Sequence, residues 1–66
     1  MIKIKLWEIR TNAGLSLRQL EELTNIPKST INNIENEKVS PTLDQLEKLA
    51  IVLNSKISDL YDSEFK

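Results

Sequence analysis

Cysteine and histidine are both absent from this chain of 66 residues. Their absence excludes disulfide bonds, thiolate chemistry and zinc sites built from those side chains. No glycine-rich phosphate loop is present, and the chain is too short to enclose a sizeable pocket. We therefore expect no enzymatic activity, no cofactor and no metal site.

Long hydrophobic runs are also lacking. No apolar segment approaches the roughly 20 residues that span a bilayer. Residues 1–5 alternate charged and apolar side chains, which is unlike the continuous apolar stretch of a signal peptide. We expect a soluble, cytoplasmic protein without a membrane partner. A chain of this length forms one domain at most, so residues 1–66 are taken as a single domain.

Charge of one sign does not dominate, since nine basic residues face ten acidic ones. The distribution is nevertheless uneven along the chain. Residues 1–15 contain three basic side chains and one acidic one, whereas residues 41–66 contain three basic and five acidic ones. This polarity permits an electropositive face, although a strongly basic stripe would be a stronger indication of nucleic-acid binding.

Helical periodicity prevails, because one glycine and two prolines leave little material for loops. The first segment is ambiguous: "IKIKL" alternates with the period of a strand, and such a strand could pair across a dimer. We favour a helix from about residue 4, with residues 1–3 extended and Gly14 as its stop. Its inner face would carry Ile2, Leu6, Ile9 and Ala13.

Two short helices and a tight turn follow. Ser16 and Gln19 have the spacing of a capping box, and this second helix would place Leu20 and Leu23 inward. It should end near Thr24, because Asn25 tolerates a left-handed backbone. The third helix would open at Pro27, where the missing N–H costs nothing, with Ile26 sealing the turn and Ile31 and Ile34 pointing inward. This is the helix-turn-helix pattern, over about residues 16–36.

A second capping box, Thr42 with Gln45, begins a fourth helix. Its predicted buried stripe is Leu43, Leu46, Leu49, Ala50 and Leu53. A short last helix, "ISDLY", would bury Ile57 and Leu60, and the tail at residues 62–66 would be loose. The fold class predicted from these elements is all-α, a compact bundle of five helices.

The ordered set of motifs resembles the phage-repressor and Cro-like (XRE-type) helix-turn-helix family over residues 4–61. The resemblance is carried by Arg10 four residues before Gly14, by "GLS" at 14–16, "KSTINNIE" at 28–35 and "SPTL" at 40–43, and by the late "LEKLA" and "ISDLY". It implies a fold of the lambda-repressor type. The chain departs from the family pattern where small, turn or polar residues are usual, at Leu17, Glu21, Asn25, Pro27 and Glu37. With Glu at 37, Asn36 is the expected left-handed residue after the third helix.

In that family the second helix of the pair enters the major groove of DNA. Carried over by position, the resemblance implies base-reading roles for Lys28, Ser29, Thr30, Asn32 and Asn33. It implies phosphate contacts at Ser16, Leu17, Arg18, Asn36 and Lys38. Asparagine suits base reading because its amide can bond the N6 and N7 edge of adenine. The plainer interpretation of Asn32 and Asn33 is a solvated helix face. For Arg18 it is an exposed side chain paired with Glu22 one turn away.

The resemblance also implies a partly buried ion pair between Arg10 and Glu35. Aromatic residues are few, and packing or a dimer contact is the expected role of Trp7. Candidate dimer contacts are Leu60, Tyr61 and Phe65, because aromatic anchors are enriched at interfaces.

The implied function is a sequence-specific, DNA-binding transcriptional regulator, a repressor by preference. Its partners would be a second copy of the chain and double-stranded DNA with a palindromic operator, read by helix 28–36. No small-molecule ligand is expected. The alternative is a protein-interaction module of the antitoxin or anti-regulator kind. Its acidic binding surface would comprise Glu21, Glu22, Glu35 and Glu37.

Overall fold

Four α-helices, one 3₁₀ helix and a two-stranded ribbon make up the computed structural model, which describes all residues 1–66. In chain order they are β1 (Lys3–Ile4), α1 (Leu6–Asn12), α2 (Leu17–Thr24), α3 (Lys28–Glu35), α4 (Leu43–Val52), the 3₁₀ helix (Ile57–Leu60) and β2 (Tyr61–Asp62). The mainly helical prediction is confirmed, but the count of five α-helices is wrong. The last one is a single 3₁₀ turn, because strand pairing from Tyr61 onwards requires an extended backbone.

The two predicted capping boxes are both present. Ser16 Oγ accepts the Gln19 N–H at 3.1 Å, and the Gln19 side chain accepts the Ser16 N–H at 2.8 Å. Thr42 and Gln45 make the same reciprocal pair, at 3.1 and 3.0 Å. Each box satisfies backbone donors that have no intrahelical acceptor, so the sequence fixes where α2 and α4 begin.

Three of the four helices end in a Schellman motif, with a left-handed residue at the position after the cap. These residues are Gly14, Glu37 and Asn54, with φ of 75°, 60° and 51°. After α1, for example, the Leu15 N–H donates to the Arg10 carbonyl at 3.2 Å. The motif satisfies carbonyls that the helix itself leaves unpaired. Asn25, at the end of α2, is also left-handed, as predicted.

Glu37, and not Asn36, is the left-handed residue after α3. Asn36 keeps a φ of −88°, so the prediction for that residue is wrong. The Lys38 N–H bonds the Asn33 carbonyl at 2.9 Å, which fixes the turn. The Glu37 side chain then accepts the Ile4 N–H at 3.0 Å. This long-range bond helps to offset the usual cost of a side chain at positive φ.

The N-terminal segment follows the strand interpretation over residues 3–4. Lys3 pairs with Asp62 and Ile4 with Tyr61 in an antiparallel ribbon within the chain. The helix from residue 4 was therefore wrong, because α1 begins only at Leu6. Of the predicted inner face, Leu6 is buried and Ile9 half-buried, whereas Ile2 and Ala13 are exposed.

Side chains block both free edges of this ribbon. Ile4 points its N–H outward, where Glu37 accepts it, and Lys66 Nζ donates to the outward Tyr61 carbonyl at 3.1 Å. Open strand edges invite pairing with another chain, and each of these bonds occupies one backbone group on an edge. Asp62 belongs to the ribbon, so the prediction of a loose tail from residue 62 is wrong for this residue, while Phe65 is 91% exposed.

The core lies where α2, α3 and α4 meet, and its ten buried apolar residues form one cluster. Besides Ile2 and Ala13, two further predicted core residues are wrong, since Leu23 is 58% and Leu43 77% exposed. On α2 the buried face runs instead through Leu20 and Thr24, one turn apart. Thr24 satisfies its hydroxyl inside the core by donating to the Leu20 carbonyl at 2.7 Å. Leu43 is the first residue of α4 and extends beyond the core.

Removal of the Thr42 cap tests the energetic importance of the second capping box. We expect Thr42→Ala to lower the free energy of unfolding by about 1 kcal/mol, because the Gln45 N–H loses its acceptor. Thr42→Ser keeps the hydroxyl and should stay within a few tenths of a kcal/mol of the parent chain. Urea denaturation followed by far-UV circular dichroism measures both. Equal losses in the two variants would contradict this account.

Candidate nucleic-acid interface

The turn between α2 and α3 is three residues long and fixes how the two helices cross. Asn25 reverses the chain with its left-handed backbone, and Ile26 is buried at 4% exposure. The Ile26 N–H donates to Thr24 Oγ1 at 3.2 Å. Pro27, at the N-cap of α3, has no side chain that could accept a hydrogen bond. The turn is thus held by one buried apolar residue and one internal hydroxyl.

Glu21 supplies a side-chain acceptor at the start of α3, where Pro27 offers none. Its Oε2 accepts the Lys28 N–H at 3.1 Å, across the junction between α2 and α3. A carboxylate also complements the positive end of the α3 dipole. From the sequence, Glu21 is a departure from the family pattern and part of an alternative acidic surface, and this contact was not predicted. One signal in the sequence could have predicted this contact. Pro27 leaves the start of α3 without a side-chain acceptor, and an acidic residue is available on the preceding helix.

An open depression runs between the start of α2 and the exposed side of α3. It contains six of the ten residues predicted to contact DNA, together with Arg10. These six are Ser16, Leu17 and Arg18 from the start of α2, and Lys28, Ser29 and Asn32 from α3. The side chains carry two cationic groups, two hydroxyls and an amide. Such groups can bond both phosphate oxygens and base edges.

The other four predicted contacts lie outside this depression. Thr30 and Asn33 are half-buried on α3. Asn36 and Lys38 are exposed at the far end of the helix, beyond its last turn. Asn36 Nδ2 donates to Asn32 Oδ1 at 3.2 Å, so the Asn32 amide already has an internal partner. This amide must exchange that partner if its oxygen is to bond a base.

The start of α2 exposes backbone donors beside a cationic side chain. In the first turn of a helix, N–H groups have no intrahelical acceptor, and no acidic residue occupies this turn of α2. Arg18 lies at the same end, and its Nε is 3.9 Å from Glu22 Oε1, with both side chains mostly exposed. Exposed pairs of this kind contribute little to stability, so Arg18 is available to another anion.

A buried ion pair supports this surface from beneath. Arg10 Nε lies 2.5 Å from Glu35 Oε2 and its Nη2 lies 3.1 Å from Glu35 Oε1, a bidentate arrangement. Arg10 Nη1 also donates to the Leu15 carbonyl at 2.9 Å. The side chains are only 11% and 4% exposed. One guanidinium therefore joins α1, the entry to α2, and the end of α3.

The three candidate dimer contacts have different surroundings. Leu60 is fully buried in the core and has no surface to offer a partner, so its assignment is wrong. It is buried because the 3₁₀ helix packs against α4. Tyr61 is half-buried in β2, and Phe65 is almost fully exposed. Trp7 is 56% exposed on α1, so it is not a packing anchor of this domain.

Known proteins resemble this chain in sequence and in fold. The family model for helix-turn-helix proteins matches residues 8–60. The chain belongs to the phage-repressor and Cro-like (XRE-type) helix-turn-helix family. Members of this family are DNA-binding regulators and not enzymes. The prediction of the family from the sequence is therefore confirmed.

Two relatives carry the name HTH-type transcriptional regulator PuuR, one from Escherichia coli (strain K12) and one from Shigella flexneri. Each is 39% identical to this chain over 62 residues, which is 94% of the chain and 34% of the relative. The chain thus spans about a third of the length of these relatives. Among solved structures, the crystal structure of a Bacteroides fragilis protein proposed to bind DNA matches with a TM-score of 0.86. That protein is 26% identical in sequence, and the match covers 94% of this chain and 100% of the Bacteroides fragilis chain.

None of the helices has both the length and the apolar character needed to cross a membrane. No group of three or more carboxylate, imidazole or thiol side chains is placed to hold a metal ion.

Removal of one partner of the Arg10–Glu35 pair tests its structural role. We expect Arg10→Ala to lower the free energy of unfolding by about 3–5 kcal/mol, because Glu35 would be left buried without a counter-charge. Binding to DNA should be lost together with stability. The double variant Arg10→Met/Glu35→Leu removes both charges and should recover most of the stability. Denaturation in urea measures all three chains, and an Arg10→Ala variant as stable as the parent would contradict this role.

Proposed function

We propose that this domain is a sequence-specific transcriptional regulator that binds a palindromic operator on double-stranded DNA as a homodimer. Helix α3 would lie in the major groove, and the N-terminal end of α2 would rest on the DNA backbone. One observation carries the proposal. The structure gathers Ser16, Arg18, Lys28, Ser29 and Asn32 around one open depression between the two helices.

Base reading is assigned to the outer side of α3. Lys28 can donate to O6 and N7 of guanine, and an asparagine amide can bond adenine bidentately. Lys28, Ser29 and Asn32 are exposed, which supports their proposed role in base reading. Thr30 and Asn33 are half-buried, so a smaller part of each side chain would be available to contact DNA.

Phosphate contacts would set the register on the duplex. At the start of α2, the candidates are Ser16, the backbone N–H of Leu17, and Arg18, where the helix dipole also attracts an anion. At the far end of α3, Asn36 and Lys38 would hold the neighbouring backbone. Contacts from both groups would fix the angle of the reading helix in the groove.

Repression is the output that such a domain can produce directly, by occupying a promoter. The site of action would be the cytoplasm, where bacterial DNA lies. In the dimer, the two α3 helices would be about 34 Å apart, one turn of DNA. Tyr61 and Phe65 remain the candidate dimer contacts from the end of the chain.

The alternative of a protein-interaction module needs free carboxylates, and the structure leaves few of them. Glu21 accepts the Lys28 N–H, Glu35 is paired with Arg10, and Glu37 accepts the Ile4 N–H. Three of the four acidic residues of that proposed surface thus have internal partners, which favours the DNA-binding proposal.

Selection of bound duplexes from a random pool tests the proposal, at about 0.1 M salt so that purely electrostatic binding is weakened. We expect enrichment of a two-fold symmetric site with half-sites one helical turn apart. A folded protein that enriches no sequence would overturn the proposed function.

Two substitutions in the protein, each tested for binding to the selected duplex, separate base reading from general electrostatics. We expect Lys28→Ala to weaken binding by about 1–3 kcal/mol and to relax the base preference at one position of each half-site. Lys48→Ala removes the same charge from an exposed position on α4 and serves as the control. Fluorescence anisotropy at fixed salt gives both affinities. Equal effects of the two substitutions would remove Lys28 from the base-reading set.

Few cationic side chains are available, so the salt dependence should be modest. We expect the dimer to neutralise about four to six phosphates, which gives a slope of about −4 to −5 for log K against log salt concentration. Titrations at several salt concentrations measure this slope. A slope near zero would be incompatible with phosphate contacts.

A further inference from the structure

Glu21 is the acidic residue that lies at the junction between the two helices of the candidate interface. It is half-buried on α2, and one oxygen of its carboxylate accepts a hydrogen bond from the Lys28 N–H of the next helix. The chain has three ion pairs, and Glu21 takes part in none of them. No side chain therefore forms an ion pair with this carboxylate. Its negative charge lies at the start of α3.

The two helix starts at the interface differ in their capping chemistry. The start of α2 is closed by neutral groups, the Ser16 hydroxyl and the Gln19 amide, and its first turn holds no acid. The start of α3 is closed by the Glu21 carboxylate. A free helix start attracts any phosphate regardless of sequence. A carboxylate at that place repels a phosphate, so α3 is protected from this sequence-independent contact.

We propose that Glu21 is a specificity-determining positioning residue, which fixes the start of α3 against α2 and keeps phosphate away from that end of the reading helix. This inference rests on the proposed function. The hydrogen bond would hold Lys28 and Ser29 in register with the bases, and the charge would weaken binding to unrelated DNA. Both effects increase the ratio of operator affinity to non-operator affinity, which determines how well a regulator finds its site.

Two conservative substitutions separate the hydrogen bond from the charge. Glu21→Gln keeps an acceptor oxygen at the same reach and removes the charge. Glu21→Asp keeps the charge, but its side chain is one methylene shorter and draws the carboxylate back from the Lys28 N–H. Glu47→Gln, at an exposed position on α4, is the control for net charge. Each variant is first checked by circular dichroism, and binding is measured where all four chains are folded.

The measured quantities are the affinities for the selected operator and for an unrelated duplex, at the same salt concentration, with the base preference at each operator position. We expect Glu21→Gln to bind the unrelated duplex about threefold to tenfold more tightly, with base preferences unchanged. We expect Glu21→Asp to bind the operator about fivefold to tenfold more weakly, because the start of α3 loses its cap. Its base preference should relax only at the positions nearest to Lys28.

A purely structural role would not produce these opposite responses. If both variants behave like Glu47→Gln on both duplexes, the inference is overturned although the proposed function stands. If the parent chain selects no operator at all, the proposed function fails, and the specificity role of Glu21 fails with it. A Glu21→Asp variant that loses affinity equally for both duplexes would also overturn the positioning role.

Discussion

The buried ion pair between Arg10 and Glu35 is the constraint on which the rest of this small domain depends. Arg10 bonds both carboxylate oxygens of Glu35 and also the Leu15 carbonyl, so one guanidinium joins α1, the entry to α2, and α3. The pair is almost fully screened from solvent, so neither charge can be removed alone without leaving the other unpaired. The position of α3 relative to the start of α2 follows from this contact.

A chain with more acidic than basic residues can still present a DNA-binding face if its carboxylates are used internally. Glu35 is committed to Arg10, Glu21 caps the start of α3, and Glu37 accepts a backbone donor of β1. Each carboxylate satisfies a group that would otherwise need water. Net charge is therefore a poor guide to the partner of this protein, because DNA responds to the local field.

The sequence predicted what short-range chemistry controls: both capping boxes, the turn at Asn25 and the apolar side of α3. Among contacts made across the fold, only the Arg10–Glu35 pair was predicted, and that prediction came from the family resemblance. The bonds from Glu21 to Lys28 and from Glu37 to Ile4 depend on how separate elements pack. For the same reason Leu43 was placed in the core from its spacing alone, since periodicity gives the direction of a side chain but not where the neighbouring helix stops. The candidate interface was predicted residue by residue through the family resemblance, and six of those ten residues meet in one depression.

The ribbon that joins β1 to β2 has a mechanical consequence. Its strands come from opposite ends of the chain and run antiparallel, with Lys3 opposite Asp62 at the outer end. Tension between the two ends of the chain would thus load these backbone pairs one after another, as in unzipping, and not all at once. While the ribbon stays closed, the load would be borne at its outer pair and would not reach α2 and α3. The helices that form the candidate interface would thus be shielded from such tension until the ribbon opens.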